Sequence, residues 1–272
     1  TRLRLKNDKR LRDKLFTAES YQHPAKEAHI VALSGGKDST AMALRLAEVE
    51  PRNYEYIITP TGNELPEMIL HWKKLGFLLG KPLRPITTGH SLQGLIREQN
   101  MLPNWRARWC TRMLKIEPFE TYILSLMNQG YKVTAYVGLR ADETQDTRKG
   151  AHYKFEVEQR YPLREWEWGI AEVYDYLERR GVVIPERTDC AMCFFQTIAE
   201  WWRLWKFHPE QYTEAEEYEA LTAHTLRSPS RDTWPTDLAS LRKRFEAGIE
   251  PKGVRQIRLF DSRPTMCSVC AR

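Results

Sequence analysis

The sequence predicts an α/β fold: a parallel, twisted sheet with helices on both faces, followed by a helical C-terminal extension. Short apolar, β-favouring runs alternate with helix-like stretches through the first half of the chain. The first of these runs breaks in Ser-Gly-Gly and leads directly into a helix-compatible segment. After Gly150 the β-favouring runs stop, and aromatic, charged helical stretches take over.

Taken in order, Ile30–Leu33, Tyr54–Thr59, Leu83–Thr87 and Val133–Val137 read as strands bounded by Gly, Pro or polar residues. Thr40–Glu48, Glu67–Leu79, Leu92–Glu98 and Glu117–Asn128 read as the helices between them. Beyond them, Arg164–Arg180 reads as a short entry and a helix, and Ile198–Phe207, Pro209–Thr222 and a stretch near Asp237–Ala247 as further helices. The chain therefore divides into a basic arm (1–24), an α/β domain (25–165) and a helical, cysteine-containing region (166–272). There is no internal repeat and no low-complexity tract.

The turn after the first strand, Ser34-Gly35-Gly36-Lys37-Asp38-Ser39-Thr40, carries the main chemical signal. A strand, a tight Gly turn and a helix N-terminus make an anion site. Backbone N–H groups point out of the turn, the helix dipole favours negative charge, and Lys37 adds a full positive charge. Gly35 and Gly36 let a phosphate approach the backbone, and Ser34, Ser39 and Thr40 offer hydroxyl donors. It is not a Walker A loop: Val31 stands where that motif needs its first Gly, and Asp38 intrudes between Lys37 and Ser39.

An apolar fraction of 42% and nine tryptophans indicate a folded chain. No apolar run approaches the length of a membrane span and the N-terminus is not signal-like, so the expected location is cytoplasmic. The formal charge is +6. Part of it sits in Thr1–Lys14, where Arg2, Arg4, Lys6, Lys9, Arg10, Arg12 and Lys14 face only Asp8 and Asp13. Such an arm suits nucleic-acid phosphates, although a solvated leader has the same composition.

Two further segments fall at the ends of predicted strands, where ligands of parallel sheets bind. Thr61-Gly62-Asn63-Glu64-Leu65-Pro66-Glu67 follows the second strand; Gly62 allows close backbone approach to a base or ribose, and Pro66 suits a first helical turn. Gly138-Leu139-Arg140-Ala141-Asp142-Glu143-Thr144, with Arg148 beyond, follows the strand at Val133. Arg140 and Arg148 can chelate phosphate or sulfate oxygens, while Asp142 or Glu143 can bind Mg²⁺ or orient those arginines. Trp201, Trp202 and Trp205 recur at helical spacing and read as core.

Five cysteines include two CxxC pairs, Cys190/Cys193 and Cys267/Cys270, with Cys110 alone. An odd count with CxxC spacing fits a reduced compartment and metal use better than disulfides. Two pairs can hold Zn²⁺ tetrahedrally or an iron–sulfur cluster, and spacing does not separate these.

The first loop resembles the pyrophosphate loop of the ATP pyrophosphatases and phosphoadenylyl sulfate (PAPS) reductases, and the Thr-Gly and Gly-x-Arg segments resemble others of that superfamily. The resemblance covers roughly residues 25–215 and implies an adenine nucleotide alpha hydrolase-like, Rossmann-like fold that binds ATP with Mg²⁺. The implied nucleotide-binding residues are Ser34, Gly35, Gly36, Lys37, Asp38, Ser39, Thr40, Gly62, Glu64, Gly138, Arg140, Asp142, Glu143 and Arg148, with Lys37, Asp38 and Cys110 catalytic.

Iron–sulfur members of the reductase branch place a Cys-Cys pair before an Arg/Lys-x-x-Pro-like segment and complete a 4Fe–4S cluster with a later CxxC. Cys110 falls on the first of these sites and Cys190 with Cys193 on the second, but Thr111 replaces the neighbouring cysteine. The fourth ligand then comes from Cys270, from Cys267 as the alternative, or from a non-protein sulfur, or one iron is left open.

The Glu-Cys-Gly-like end of the thioredoxin-dependent reductases is missing as well. The chain is more similar to DNA phosphorothioation sulfurtransferases. That likeness implies adenylation of an acceptor, a nucleic acid, followed by sulfur transfer, with a sulfur-donor protein such as a cysteine desulfurase as partner. A sulfonucleotide reductase using Cys267 and Cys270, and a non-catalytic nucleotide-sensing subunit, are the alternatives.

Overall fold

The computed structural model describes residues 26–143, 155–229 and 231–254. The basic arm, Arg148, Cys267 and Cys270 lie outside the described residues. A five-stranded, all-parallel sheet runs in the order β3-β2-β1-β4-β5. Its strands are β1 (Lys26–Ala32), β2 (Tyr54–Ile58), β3 (Arg84–Pro85), β4 (Tyr131–Tyr136) and β5 (Glu158–Arg160). Central β1 pairs Ala32 with Ile57 on one side and Val31 with Tyr136 on the other.

The helices are α1 (Lys37–Val49), α2 (Pro66–Leu78), α3 (Leu92–Gln99), α4 (Trp109–Thr111), α5 (Glu117–Asn128), α6 (Pro162–Glu165), α7 (Ile170–Arg179), α8 (Ile198–Phe207), α9 (Pro209–Thr222) and α10 (Leu238–Glu246). A wide π-helical turn, Arg112–Ile116, joins α4 to α5. Pro118 lacks the N–H that would bond to the Leu114 carbonyl, and a widened turn just before it relieves that mismatch.

The strand side chains alternate between two cores, as a sheet covered on both faces requires. Val31, Tyr54, Tyr56, Ile58 and Tyr136 pack with α1 and with Val173, Tyr176 and Leu177 of α7. Ala28, Ile30, Ile57, Val133 and Ala135 pack against Phe119, Ile123 and Leu126 of α5. A third core belongs to the helices: Leu92, Leu95 and Ile96 of α3 and Trp109 join Trp201, Trp202, Tyr212, Leu241 and Phe245. The cores thus interleave along the chain, with α7 on the sheet and α3 among the C-terminal helices. Trp201 is fully buried and Trp202 nearly so, as expected for core positions. No described helix is long and apolar enough to cross a membrane.

Glu219 ties this helical core together. Its buried carboxylate accepts hydrogen bonds from the Leu226 N–H (2.8 Å) and the Leu238 N–H (2.7 Å). Burial pushes its pKa up to about 7, against the pull of those two donors. A raised carboxylate pKa means that the folded state holds the proton more tightly than the unfolded chain. The stabilisation is complete below the ordinary glutamate pKa and is lost as pH rises through about 7. A shift of this size corresponds to about 3 kcal/mol. Urea midpoints of the wild type should therefore fall between pH 5 and pH 8 relative to those of Glu219→Gln; parallel profiles would contradict this.

Candidate functional site

The carboxyl ends of β2, β1 and β4 bring three loops together at one edge of the sheet. In the first, Gly35 adopts φ +86°, and a Cβ there would lie 2.1 Å from Met68 Cε and 2.7 Å from Trp72 Nε1. Helix α2 therefore lies directly over the loop, and only glycine fits beneath it. The Trp72 indole donates to the Ser34 carbonyl (3.1 Å), and His71 hydrogen bonds to the backbone of Gly35. Burial pushes the His71 pKa down to about 4, so its imidazole is neutral near pH 7.

The loop's own hydroxyls satisfy its N–H groups: Ser39 Oγ accepts from Gly35 N (3.2 Å) and Ser34 Oγ from Gly36 N (3.3 Å). A phosphate oxygen would compete for the same donors. Helix α1 begins at Lys37 without a side-chain cap, and Lys37, Asp38, Ser39 and Thr40 are all buried.

Asp38 connects this loop to the one after β4. Its Oδ2 accepts from Arg140 Nη1 (2.9 Å) and lies 3.4 Å from Lys37 Nζ. Its Oδ1 is buried without a hydrogen-bond partner, as is Thr40 Oγ1. Arg140 also donates Nε to Asp142 Oδ1 (2.8 Å), while its backbone N–H donates to Glu143 Oε2 (3.0 Å). Burial opposes the charge on Arg140, but Asp38 and Asp142 outweigh it and raise its pKa. Asp142 Oδ2 accepts from Ile170 N (2.9 Å) at the start of α7. The acidic residues thus orient Arg140, one of the two roles expected for them, and Arg140 is already bound to protein carboxylates. Gly138 earns its place by close packing: a Cβ there would lie 3.1 Å from the Ser39 backbone.

The loop after β2 is held from within by Glu64, whose carboxylate accepts from Thr61 N (2.7 Å), Thr61 Oγ1 (2.7 Å) and Gly62 N (3.0 Å). Gly62 has φ +80°, and a Cβ there would lie 2.9 Å from Ser91 Cβ. The close approach that requires glycine is therefore to the start of α3, where Leu92 N also donates to the Thr61 carbonyl (2.8 Å).

On its other side this loop meets the CxxC turn. Glu64 and Cys190 form an isolated antiparallel bridge, and Thr61 Oγ1 is 3.1 Å from Cys190 Sγ.

Cys110, Cys190 and Cys193 all lie within electrostatic range of Lys115 in the π-helical turn. Burial alone would lower the Lys115 pKa, but Cys190, Asp189, Cys193 and Cys110 together raise it. Burial also raises the pKa of each of the three thiols. Among the described residues no three His, Cys, Asp or Glu side chains stand close enough to hold one metal ion. A single zinc would therefore have to draw on Cys267 and Cys270. A cluster does not make that demand, because each of its thiolates binds a different iron. Three half-buried thiols with a cation among them suit an anionic cluster of that kind.

The sequence analysis singled out all three of these cysteines but not Lys115, Thr61 or Asn63, nor Arg187, which donates to the Cys190 carbonyl (2.7 Å). The position of Lys115 between Cys110 and Pro118 was the available cue for the first. Asn63 acts through contacts with Ala191 and Met192 across the fold that no local pattern records, whereas the contacts of Arg187 are local, to Cys190, Ala191 and Gln196.

The phosphoadenosine phosphosulfate reductase domain model matches residues 28–187. An uncharacterized protein of Methanocaldococcus jannaschii is 23% identical over 219 residues, 73% of this chain and 45% of that protein. The chain therefore spans less than half the length of that relative. Among solved structures, PAPS reductase from Candida auris in a phosphate complex is 19% identical, with TM-score 0.42 over 65% of this chain and 80% of that one. The U34-tRNA thiolase NcsA from Methanococcus maripaludis, with its 4Fe–4S cluster, is also 19% identical, with TM-score 0.42 over 80% of both chains. With the family model spanning well over half of its residues, this chain belongs to the phosphoadenosine phosphosulfate reductase domain family.

Proposed function

We propose that this protein is an ATP pyrophosphatase that adenylates an oxygen of a nucleic-acid acceptor and replaces it with sulfur. The observation that carries this reading is the Thr61–Cys190 contact, which joins the loops at the carboxyl ends of the strands directly to the Cys190–Cys193 turn. The acceptor oxygen attacks the α-phosphorus of ATP, and the bond to the β-phosphate oxygen breaks, sending its electron pair away with pyrophosphate. Lys37 and the N–H groups at the start of α1 stabilise the charge that develops on the departing pyrophosphate. The unpartnered Asp38 Oδ1 is suited to hold the Mg²⁺ that accompanies ATP. Hydrosulfide then attacks the activated centre, AMP leaves with the original oxygen, and the sulfur's proton passes to solvent. Sulfur enters at the oxidation level of sulfide, so the sequence consumes no electrons.

A 4Fe–4S cluster on Cys110, Cys190 and Cys193 would supply an iron able to hold that sulfide, with Cys270 or Cys267 as fourth ligand or the corner left open. Lys115 balances negative charge there. Two features support a nucleic-acid acceptor besides the basic arm. Residues 99–114 contain Arg106, Arg108 and Arg112 but no Asp or Glu. Trp105 in that segment is 57% exposed, with the Arg106 guanidinium 4.7 Å from its ring centre, a surface suited to stacked bases and phosphates. The reading places the protein in the cytoplasm, with a cysteine desulfurase as a fitting source of sulfide.

The test uses anaerobic protein with ATP, Mg²⁺, sulfide and RNA or single-stranded DNA. Equal amounts of AMP and pyrophosphate, dependent on the acceptor, with sulfur in the digested nucleotides by mass spectrometry, are expected. Sulfite release from PAPS with a thiol reductant and no AMP from ATP would identify a sulfonucleotide reductase instead. ATP binding without pyrophosphate release would leave a nucleotide-sensing subunit.

A further inference from the structure

We infer that Thr61 and Asn63 are positioning residues that carry nucleotide occupancy to the Cys190–Cys193 turn, an inference that rests on the nucleotide reading above. The turn is fastened to the loop after β2 at successive residues. Thr61 Oγ1 meets Cys190 Sγ at 3.1 Å. The Asn63 carbonyl accepts from Ala191 N (2.7 Å), and Asn63 Oδ1 accepts from Met192 N (3.0 Å). Asn63 is buried and Thr61 is 2% exposed, so water does not compete for these bonds.

The far side of the turn is equally fixed. Arg187 Nη2 donates to the Cys190 carbonyl (2.7 Å) and Nη1 to Gln196 Oε1 (2.7 Å), while Gln196 Nε2 donates to the Ala191 carbonyl (2.6 Å). A turn braced in this way does not absorb a displacement of the loop; it moves with it.

Both nucleotide-side loops reach this segment. Thr188 Oγ1 would lie 3.6 Å from a Cβ built on Gly36, so the chain passes the phosphate loop just before it reaches Cys190. Thr61 belongs to the Glu64-held loop at the carboxyl end of β2, where ligands of parallel sheets bind. With its one proton given to Glu64, the Thr61 hydroxyl accepts from the Cys190 thiol. Once that sulfur is a thiolate ligand the hydroxyl can only donate to it, so Glu64 and Cys190 compete for the proton, and a nucleotide that shifts these loops shifts the balance. Hydrogen bonds to a ligand sulfur are among the terms that set the properties of a metal centre. The chemical consequence is ordering: the thiol end of the site senses whether ATP is in place.

The experiment compares wild type, Thr61→Val, Thr61→Ser and Asn63→Ala. Binding of a non-cleavable α,β-methylene ATP analogue with Mg²⁺ is measured by calorimetry. Two readouts follow: the alkylation rate of Cys190 in metal-free reduced protein, by peptide mass spectrometry, and the visible and paramagnetic resonance spectra of the iron-loaded protein. In wild type the analogue should change the Cys190 alkylation rate by about 5-fold or more and shift the spectra. In Thr61→Val and Asn63→Ala the analogue should still bind, while its effect on both readouts collapses; Thr61→Ser, which keeps the hydroxyl, should restore it. Analogue binding without any response in wild type, or a full response in Thr61→Val, would overturn the inference and leave the nucleotide reading intact. Absence of analogue binding in wild type would remove both.

Discussion

Arg140→Met should lower the unfolding free energy by about 3–5 kcal/mol, whereas Lys37→Met, which leaves Asp38 paired with Arg140, should lower it by much less. Both cations stand beside Asp38, yet they do different work. Arg140 is 6% exposed and spans Asp38 (2.9 Å) and Asp142 (2.8 Å), with Glu143 at 3.8 Å. Removing its guanidinium leaves buried carboxylate charge at the junction of the loops after β1 and β4, which Lys37, 3.4 Å from Asp38, offsets in part. Removing Lys37 leaves Asp38 its shorter bond to Arg140, so the fold survives. Activity should show the reverse. Lys37→Met should retain a native urea transition while pyrophosphate release falls by about 10²–10³-fold, the range found when a donor that stabilises developing charge is removed. Urea unfolding of the two variants, with pyrophosphate release from the folded one, checks both halves. An Arg140→Met protein as stable as wild type would mean that the cluster is hydrated and the buried-pair argument fails.

The contrast also marks what was legible in the sequence. Ser34–Thr40 could be read as a strand end, glycine turn and helix start because the three follow one another in the chain, so local pattern and local structure coincide. The ends of α5, α8 and α9 match their expected bounds for the same reason: periodic apolar residues and, at α8 and α9, Thr197 or Pro209 at the N-terminus. Strand β5 went unread because Glu158–Arg160 is a short, charged edge whose side chains reach outward, with Arg160 bound to Glu50 and Glu165. Strand β3 shrank to Arg84–Pro85 because proline suits only an edge.

At the site, identity was easier to read than role. Arg140 and Glu64 were found by motif; the protein groups that hold them, Asp38 and Asp142 for one and Thr61 and Gly62 for the other, were not. Such contacts join residues as far apart as Asp38 and Arg140, and nothing in a linear pattern encodes them. The same holds for α3, predicted as a helix between strands and found packing with Trp201 and Tyr212 in the helical core.

Cys110→Ser, Cys190→Ser and Cys193→Ser should each reduce the iron and acid-labile sulfide of anaerobically prepared protein from about four per chain to a small remainder. The argument is one of charge and geometry. Burial raises the pKa of all three thiols, so without a metal they are neutral, and only a metal centre that stabilises the thiolates repays their ionisation. The raised Lys115 makes that ionisation less costly, which predicts a further effect: Lys115→Met should weaken iron retention without removing a ligand. Cys110 decides between the two metal readings, because it belongs to no CxxC pair. A cluster that uses it loses iron in Cys110→Ser, whereas a zinc held by the two CxxC pairs does not. One zinc per chain, no iron, and indifference to Cys110→Ser would therefore transfer the metal to Cys190, Cys193, Cys267 and Cys270 and leave Cys110 as a free thiol. Sulfur transfer would then need a different carrier.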